Sequence, residues 1–307
     1  MTGLLLLDKP PAITSFSAVA RARRILGVKK AGHTGTLDPM ATGVLPILLG
    51  GATRFAEFLP SHDKAYLAGF RLGLRTDTLD ITGEVIEEKP VHVTRDDVER
   101  ALAQFRGKIQ QVPPMVSALK VDGVRLYDLA RRGIEVEREA RAVEFYALEL
   151  ADECRCGLQA ARDKNFFNDP GRLQAAPTDY ALYAECSAGT YIRSLIDDLG
   201  RALGCGAAMT SLRRVKANGY GIERCATLEQ LERGEAKLIP LDEVLAAYPA
   251  VTVTPAQALR FRNGGALDLA RVTLTGEGEL HRVYGEQFLG LGRVKAGELT
   301  VARLLVE

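Results

Sequence analysis

The sequence has few of the residues that build metal sites and disulfide frameworks. Its 307 residues include no tryptophan, four histidines and five cysteines. The cysteines are odd in number and lack paired Cys-x-x-Cys spacing, and the histidines show no ligand spacing. Neither a metal site nor a set of disulfides is therefore predicted, and we expect free thiols.

Long apolar runs are also missing. No stretch reaches the roughly 18 apolar residues that a membrane helix requires. The N-terminal run from Leu4 to Leu7 stops at Asp8, too early for the core of a signal peptide. With 47% hydrophobic and 26% charged residues, the composition is typical of a globular protein with room for about two domains. These features predict a cytoplasmic protein with no membrane partner.

The charge is balanced in total but clustered along the chain. There are 40 Lys and Arg against 39 Asp and Glu, for a formal net charge of +1. Basic side chains nevertheless form three groups, which are Arg21, Arg23, Arg24, Lys29 and Lys30, then Arg125, Arg131 and Arg132, and then Arg213, Arg214 and Lys216. Any one group alone is typical of a solvated surface, whereas together they could give the positive face that a phosphate backbone requires.

The stretch from Lys29 to Gly51 has the least ordinary composition in the chain. Its first half is rich in glycine, and Pro39 biases Asp38 away from helical geometry. We therefore expect a loop rather than a strand there, with His33 in a glycine-rich turn and Asp38 on a stiff one. The apolar run that follows predicts a buried strand or helix that anchors this loop. Taken alone, an Asp before Pro is typical of an ordinary turn.

Two helix starts are indicated by hydroxyl side chains. Ser15 is expected to cap a helix that reaches Leu26, and Thr94 a helix from Arg95 to Phe105 with acidic residues in its first turn. Further along, a predicted strand from Tyr180 ends in a glycine turn and enters another helix.

Two motifs resemble one enzyme family. The run GHTGTLDPMATGVLP at residues 32–46 is similar over 15 consecutive positions to the catalytic motif of the TruB family, the bacterial tRNA pseudouridine-55 synthases. This resemblance implies that Asp38 is the catalytic nucleophile and that His33 contacts RNA. The run GTYIRSLIDDLG at residues 189–200 matches the same family, which implies that Arg193 pairs with the aspartate. Without that context, Arg193 would be typical of a surface ion-pair partner.

Other candidate site residues come from the same resemblance. Tyr66 lies in an alternating, strand-like run, where a core tyrosine is the ordinary interpretation. The family implies instead that Tyr66 lies against the target uracil, with its hydroxyl available for proton handling. Tyr191 and Leu212 correspond to further substrate-binding positions, and Asp80 to a second carboxylate that shares Arg193.

The expected fold is mixed α/β (α+β) with two domains. Residues 1–248 are predicted to form a pseudouridine synthase-type catalytic domain with a mixed or antiparallel sheet and a central cleft. Residues 249–307 show short apolar runs and glycine-rich turns typical of a small β domain, which resembles the family's RNA-binding PUA domain. The resemblance identifies residues 112–141 as a thumb that grips RNA. Residues 151–179 are polar and aperiodic, which favours a surface excursion that departs from the family pattern.

The predicted reaction sets requirements of its own. Converting uridine to pseudouridine breaks the bond from a base nitrogen to the sugar and rejoins the base through a carbon. No electrons leave the system, so no cofactor is expected. A carboxylate can attack either the sugar or the uracil ring, and both options stay open. The base must first be flipped out of folded RNA into an apolar or aromatic pocket.

The resemblance therefore implies a tRNA pseudouridine synthase that acts on uridine 55 in the T-arm loop. The expected partner is tRNA, and we expect a monomer with no obligate protein partner. One alternative is a noncatalytic tRNA-binding or tRNA-folding protein on the same scaffold. Asp38, Tyr66 and Arg193 together argue against it, because phosphate binding needs no carboxylate. Another alternative is a nucleoside hydrolase with an aspartate nucleophile, which would release free uracil.

Overall fold

A computed structural model describes residues 1–117, 119–121, 123–151 and 178–306. The predicted excursion at 151–179 lies almost entirely outside these residues, as do Cys154 and Cys156. Among the described residues, no helix is both long enough and apolar enough to cross a membrane.

The chain alternates strands and helices, which confirms the mixed α/β class. The strands are β1 (Gly3–Lys9), β2 (Ala31–His33), β3 (Thr42–Leu49), β4 (Lys64–Leu72), β5 (Leu74–Thr76), β6 (Val85–Glu88), β7 (Gly107–Gln111), β8 (Lys120–Val121), β9 (Val124–Arg125), β10 (Arg141–Leu150), β11 (Asp179–Cys186), β12 (Ala207–Ala217), β13 (Tyr220–Gly221), β14 (Leu238–Ile239), β15 (Ala250–Thr252), β16 (Leu267–Asp268), β17 (Leu280–Tyr284), β18 (Phe288–Lys295) and β19 (Glu298–Leu304). The α-helices are α1 (Ser15–Ile25), α2 (Arg95–Ala103), α3 (Leu126–Ala130), α4 (Ile192–Ala202), α5 (Leu228–Glu232), α6 (Leu241–Val244) and α7 (Pro255–Arg262). Short 3-10 helices span Gly50–Phe58, Ile222–Arg224 and Leu269–Arg271.

A ten-stranded sheet forms the centre of the molecule. Its main order is β14-β1-β3-β12-β4-β11-β10-β7, with β2 added to β3 and β13 to β12. Strands β3 and β12 run parallel, and the other neighbouring strands are antiparallel. Strands β3, β12 and β4 are therefore adjacent, and they bring together segments that are far apart in sequence.

Both faces of this sheet are covered, as the nearly unbroken apolar sequence of its central strands requires. In β1, Leu5 and Leu7 pack on one face with α1, whereas Leu4 and Leu6 pack on the other with the 3-10 helix Gly50–Phe58. Helix α4 buries Leu195, Ile196 and Leu199 in a third cluster with strands β4 and β12. The period of two along β1 thus divides its leucines between two cores.

The start of α1 differs from the sequence prediction. Thr14, rather than Ser15, is the N-cap, and its hydroxyl accepts a hydrogen bond from the Ser17 backbone N–H. The Ser15 hydroxyl instead donates to the Leu37 carbonyl oxygen at 3.0 Å and accepts from the Leu37 N–H at 2.8 Å. Both residues carry a hydroxyl, and this long-range contact decides which of them caps the helix.

A five-stranded sheet of order β15-β17-β18-β19-β16 ends the chain, with α7 packed against it. Its own core includes Val251, Phe261 and Leu299. Leu291 of β18, however, is fully buried in the same apolar cluster as Leu4 and Leu6 of β1. The two sheets are therefore joined by one shared hydrophobic cluster, in addition to the separate core of the second sheet.

Candidate active site

The backbone around His33 forms a short strand, so the prediction of a continuous loop was wrong here. Strand β2 pairs antiparallel with β3, with Ala31 opposite Leu49 and His33 opposite Ile47. The parallel partner β12 pairs with the described β3 backbone only over Thr42 and Gly43. The remaining backbone groups on that edge of β3 need partners, and β2 supplies them. The irregular part of the segment is thus reduced to the turn that carries Asp38.

Asp38 and Arg193 form a two-point ion pair. The Arg193 Nε lies 2.9 Å from Asp38 Oδ2, and its Nη2 donates to Asp38 Oδ1 at 3.0 Å. The Arg193 side chain is only 4% exposed, whereas that of Asp38 is 33% exposed. One carboxylate edge is therefore held by the guanidinium while the group stays open to the adjacent cavity.

The remaining Arg193 donors fix the guanidinium in place. Its Nη1 donates to the Thr78 carbonyl oxygen at 3.0 Å, and its Nη2 also donates to the Val116 carbonyl oxygen at 2.9 Å. Asp80 lies behind the pair, with its Oδ2 at 3.8 Å from Arg193 Nε. The buried Asp80 Oδ1 accepts hydrogen bonds from Thr78 and Thr82. One buried arginine thus has two carboxylates within 4 Å of its Nε.

The electrostatic surroundings of Asp38 act in opposite directions. Burial raises the pKa of the Asp38 carboxyl above its ordinary 3.8, Arg193 opposes this rise, and Asp80 adds to it. The accessible part of the side chain opens onto a concave cavity, so protein atoms still crowd the carboxylate. Ionisation of Asp38 consequently depends on Arg193.

Two buried cations hold the Asp38 turn, and neither was identified from the sequence as a site residue. Arg214 is fully buried and donates to the carbonyl oxygens of Gly35, Thr36 and Val44. Lys9 is also fully buried, and its ammonium donates to carbonyl oxygens that include that of Pro39 at 3.2 Å. Burial lowers the pKa of Lys9 to about 8. These hydrogen bonds hold the backbone of the Asp38 turn in place.

Arg214 also corrects the interpretation of the third basic group. Besides the buried Arg214, Arg213 pairs with Asp8 at 2.8 Å and Lys216 pairs with Glu185 at 2.7 Å. This group therefore does not form a free positive surface, and the possibility that it contributes to a phosphate-binding face is not supported.

A cavity of about 390 Å³ brings together most of the predicted site residues. Five of them line it, namely Asp38, Tyr66, Tyr191, Arg193 and Leu212. Burial raises the pKa of Tyr66 to about 12, so its phenol stays protonated near neutral pH. The size suits a single nucleoside, and the walls are largely apolar with the carboxylate at one side.

Two predicted residues lie outside the cavity lining. Asp80 lies behind Arg193, as described above. His33 is half-buried on β2, and its Nδ1 has no hydrogen-bond partner in the part of the chain that the structure describes. Burial, followed by the charge of Arg214, lowers the pKa of His33, so the ring is neutral near pH 7.

Gln111 is a further residue that sequence reasoning missed. Helix α4 begins after Tyr191, which makes no capping bond of its own through its side chain. The Gln111 amide compensates, because it donates to the Tyr191 carbonyl oxygen at 3.0 Å and accepts from the Tyr191 N–H at 2.8 Å. The Ser194 hydroxyl also donates to the Val112 carbonyl oxygen at 2.9 Å. The start of the segment 112–141 is thus fastened to the first turn of the helix that carries Arg193.

The chain matches known family models along its length. A model described as TruB family pseudouridylate synthase (N terminal domain) matches residues 23–192. A tRNA pseudouridylate synthase B C-terminal domain matches residues 193–251, and a Pseudouridine synthase II TruB C-terminal domain matches residues 249–305.

Curated relatives and solved structures agree with these matches. A tRNA pseudouridine synthase B of Azoarcus sp. (strain BH72) is 43% identical over 99% of this chain and 94% of that protein. One of Burkholderia pseudomallei (strain 668) is 42% identical over 100% of this chain and 97% of that protein. A chain in the crystal structure of a Cbf5-Nop10-Gar1 complex is 26% identical, with a TM-score of 0.67 over 99% of this chain and 85% of that one.

Proposed function

Since this chain belongs to the TruB family of pseudouridylate synthases, we propose that it isomerises uridine 55 in the T-arm loop of tRNA with Asp38 as nucleophile. The enzyme class is that of the tRNA pseudouridine synthases, which are isomerases. The observation that carries the assignment of Asp38 is its two-point pairing with the buried Arg193 at the wall of the cavity. A protein that only binds RNA has no use for such a carboxylate.

The proposed reaction proceeds from Asp38 as the nucleophile. The ionised Asp38 attacks the sugar carbon or the uracil ring, and either attack leads to cleavage of the bond from the base nitrogen to the sugar. The freed uracil turns within the cavity and a ring carbon bonds to the same sugar carbon. That ring carbon loses its proton, the original nitrogen gains one, and the Asp38 carboxylate is released unchanged.

The cavity walls are assigned to the flipped base. Tyr66, Tyr191 and Leu212 provide aromatic and apolar contacts for a nucleobase taken out of its stack. The high pKa of Tyr66 keeps its hydroxyl neutral, which suits hydrogen bonding and ring contact rather than the role of a free phenolate base. We assign His33, on the strand leading to the catalytic turn, to contact the RNA while the target is flipped out.

The remaining parts of the chain are assigned to RNA binding. We propose a catalytic unit at residues 1–248, a gripping thumb at 112–141 and a PUA-like RNA-binding unit at 249–307. We also propose that the enzyme acts in the cytoplasm as a monomer without an obligate protein partner. Light scattering of the purified, active enzyme tests the last point.

The function is tested with a tRNA transcript that carries tritium at uracil C5. Isomerisation replaces the C5–H bond, so tritium is expected in water at one equivalent per tRNA, with pseudouridine recovered at position 55. Full retention of tritium would remove the proposed function. Release of free uracil would identify a hydrolase instead.

The raised pKa of Asp38 predicts an acid limb in the activity profile. The nucleophile is protonated and inactive below its pKa and ionised above it, and burial holds that pKa above the ordinary 3.8. Single-turnover rates at saturating enzyme should therefore fall on acidification with a midpoint above 3.8. In Asp80→Asn, loss of the neighbouring negative charge should move this midpoint to lower pH. An unmoved midpoint would show that Asp80 does not act on Asp38.

Gln111→Ala is expected to slow catalysis more than it weakens tRNA binding. The substitution removes both hydrogen bonds to the Tyr191 backbone. Each is worth about 1 kcal/mol, so the single-turnover rate should fall by up to roughly 30-fold as Arg193 loses its fixed position. Gln110→Ala is the matched control, since Gln110 is the exposed neighbour on the same strand. Equal rates in the two variants would contradict a positioning role.

A further inference from the structure

The first basic group lies in a segment that has no acidic residue. From Lys9 to Leu37 the sequence contains neither Asp nor Glu. Its five outer basic side chains are all exposed, and no described carboxylate pairs with any of them. These residues, called here the basic face, are Arg21, Arg23, Arg24, Lys29 and Lys30. The exposed arginines of α2 behave differently, because Arg95 pairs with Glu99 and Arg100 with Asp97. Unpaired positive charge is thus concentrated at the end of α1 in a chain of nearly zero net charge.

The same helix presents an exposed aromatic ring. Phe16 is 79% exposed, more than any other large apolar side chain among the described residues. Phe16, Ala20 and Arg23 follow the spacing i, i+4 and i+7, so they lie along one side of α1. The opposite side, with Ala18, Val19 and Ala22, is already packed against β1 and β3. Helix α1 therefore has no free apolar face with which to enter a membrane.

The position of α1 relative to the cavity is fixed at its first residue. Ser15 makes both of its hydrogen bonds to Leu37, the neighbour of Asp38. Phe16 is the next residue of α1, so its backbone lies close to the catalytic turn. Arg21, Arg23 and Arg24 follow Ser15 by six to nine residues that rise about 1.5 Å each, so they lie roughly 9 to 14 Å further along the helix from that turn.

We propose that this side of α1 is a tRNA-binding surface, in which Phe16 packs on an unpaired base beside the target and the basic face binds phosphates of the adjoining stem. The order of the groups fits the T-arm, because its unpaired bases lie in the loop around the flipped nucleotide and its paired stem continues beyond that loop. Aromatic rings stack on any exposed base, and unpaired Arg and Lys displace counterions from phosphates. This inference rests on the proposed function, since it takes tRNA as the ligand.

The test compares three variants of the full-length enzyme in tRNA-binding titrations across salt concentrations. Arg23→Gln/Arg24→Gln removes two charges of the basic face, Arg95→Gln/Arg100→Gln removes two paired charges of α2, and Phe16→Ser removes the ring. Loss of two phosphate contacts should weaken binding by roughly 30-fold at 0.1 M salt and make the dependence on log salt shallower by about two. Phe16→Ser should weaken binding about tenfold with the salt dependence unchanged. The α2 variant should bind as the wild type does.

Three other outcomes overturn the inference. If the α1 arginine variant bound tRNA as tightly as the wild type does, the basic face would be only a solvated surface. Equal losses in both would mean that only total charge matters. If the α1 arginine variant kept its tRNA binding but lost binding to vesicles of anionic phospholipid, the ligand of the basic face would be a lipid surface and not tRNA. Tritium release by the wild type, measured in parallel, keeps these results separate from failure of the proposed function.

Discussion

Asp38→Asn is expected to abolish isomerisation and to leave tRNA binding intact. The amide has nearly the shape of the carboxylate but is a poor nucleophile, so the covalent step is lost. The rate should fall by about 10⁴-fold or more, as expected when a covalent nucleophile is removed. The measurement is pseudouridine formation under single-turnover conditions with saturating enzyme, beside a tRNA-binding titration.

A matched substitution separates the nucleophile from general effects of charge. Asp63→Asn makes the same change at the neighbour of Lys64, and Lys64 lines the cavity. Asp63 itself does not belong to the ion pair with Arg193. Asp63→Asn should retain most of the wild-type rate. If purified Asp38→Asn formed product near the wild-type rate, Asp38 would have no part in the mechanism.

Arg193→Lys is expected to give the second largest loss. The guanidinium contacts Asp38 at two points and donates to the carbonyl oxygens of Thr78 and Val116 as well. A single ammonium keeps the charge but has no planar fork and cannot reach all of these acceptors. We expect kcat to fall roughly 100- to 1,000-fold, with a free energy of unfolding lower by about 1 to 3 kcal/mol.

The control for this variant lies on the same helix. Arg201→Lys makes the same change at the other end of α4, where the arginine is 60% exposed and pairs with Asp197. Its turnover and melting temperature should both stay close to wild type. Unchanged turnover in Arg193→Lys would mean that a positive charge alone keeps Asp38 active and that the planar guanidinium is not needed.

The sequence motifs identified the residues that face the cavity better than the residues that hold them. Asp38, Tyr66, Arg193 and Leu212 come from four segments, yet the structure places them around one cavity. Asp38 and Arg193 belong to motifs that are recognisable in the local sequence, whereas Tyr66 and Leu212 were assigned through the family resemblance. Their roles in catalysis stay predictions until the variants are measured.

The supporting residues had no comparable local pattern. Arg214 was grouped with surface arginines, because nothing in its neighbours shows that carbonyl oxygens from residues 35, 36 and 44 surround it. Gln111 looks like any polar residue at the end of a strand until α4 is placed beside it. The environment of both depends on strand pairing between distant segments. Local patterns in a single sequence do not reveal that pairing residue by residue.

The two errors in secondary structure have the same origin. His33 lies on a strand because β12 leaves part of the edge of β3 unpaired, and Thr14 caps α1 because Ser15 is engaged by Leu37. In each case a long-range contact decides between two local options. Thr94, by contrast, caps α2 as predicted, with Asp97 completing the capping box within the same short segment.

The burial of Leu291 among the β1 leucines limits how the chain can change in evolution. A terminal unit joined by a linker can be lost, replaced or exchanged between enzymes with little effect on the rest. Here its removal would expose Leu4, Leu6 and Phe55, and a foreign replacement would have to fill the same space. Substitutions in the 3-10 helix Gly50–Phe58 and in β18 should therefore co-vary among homologues. A chimera that exchanges one of these elements without the other should expose apolar surface and aggregate.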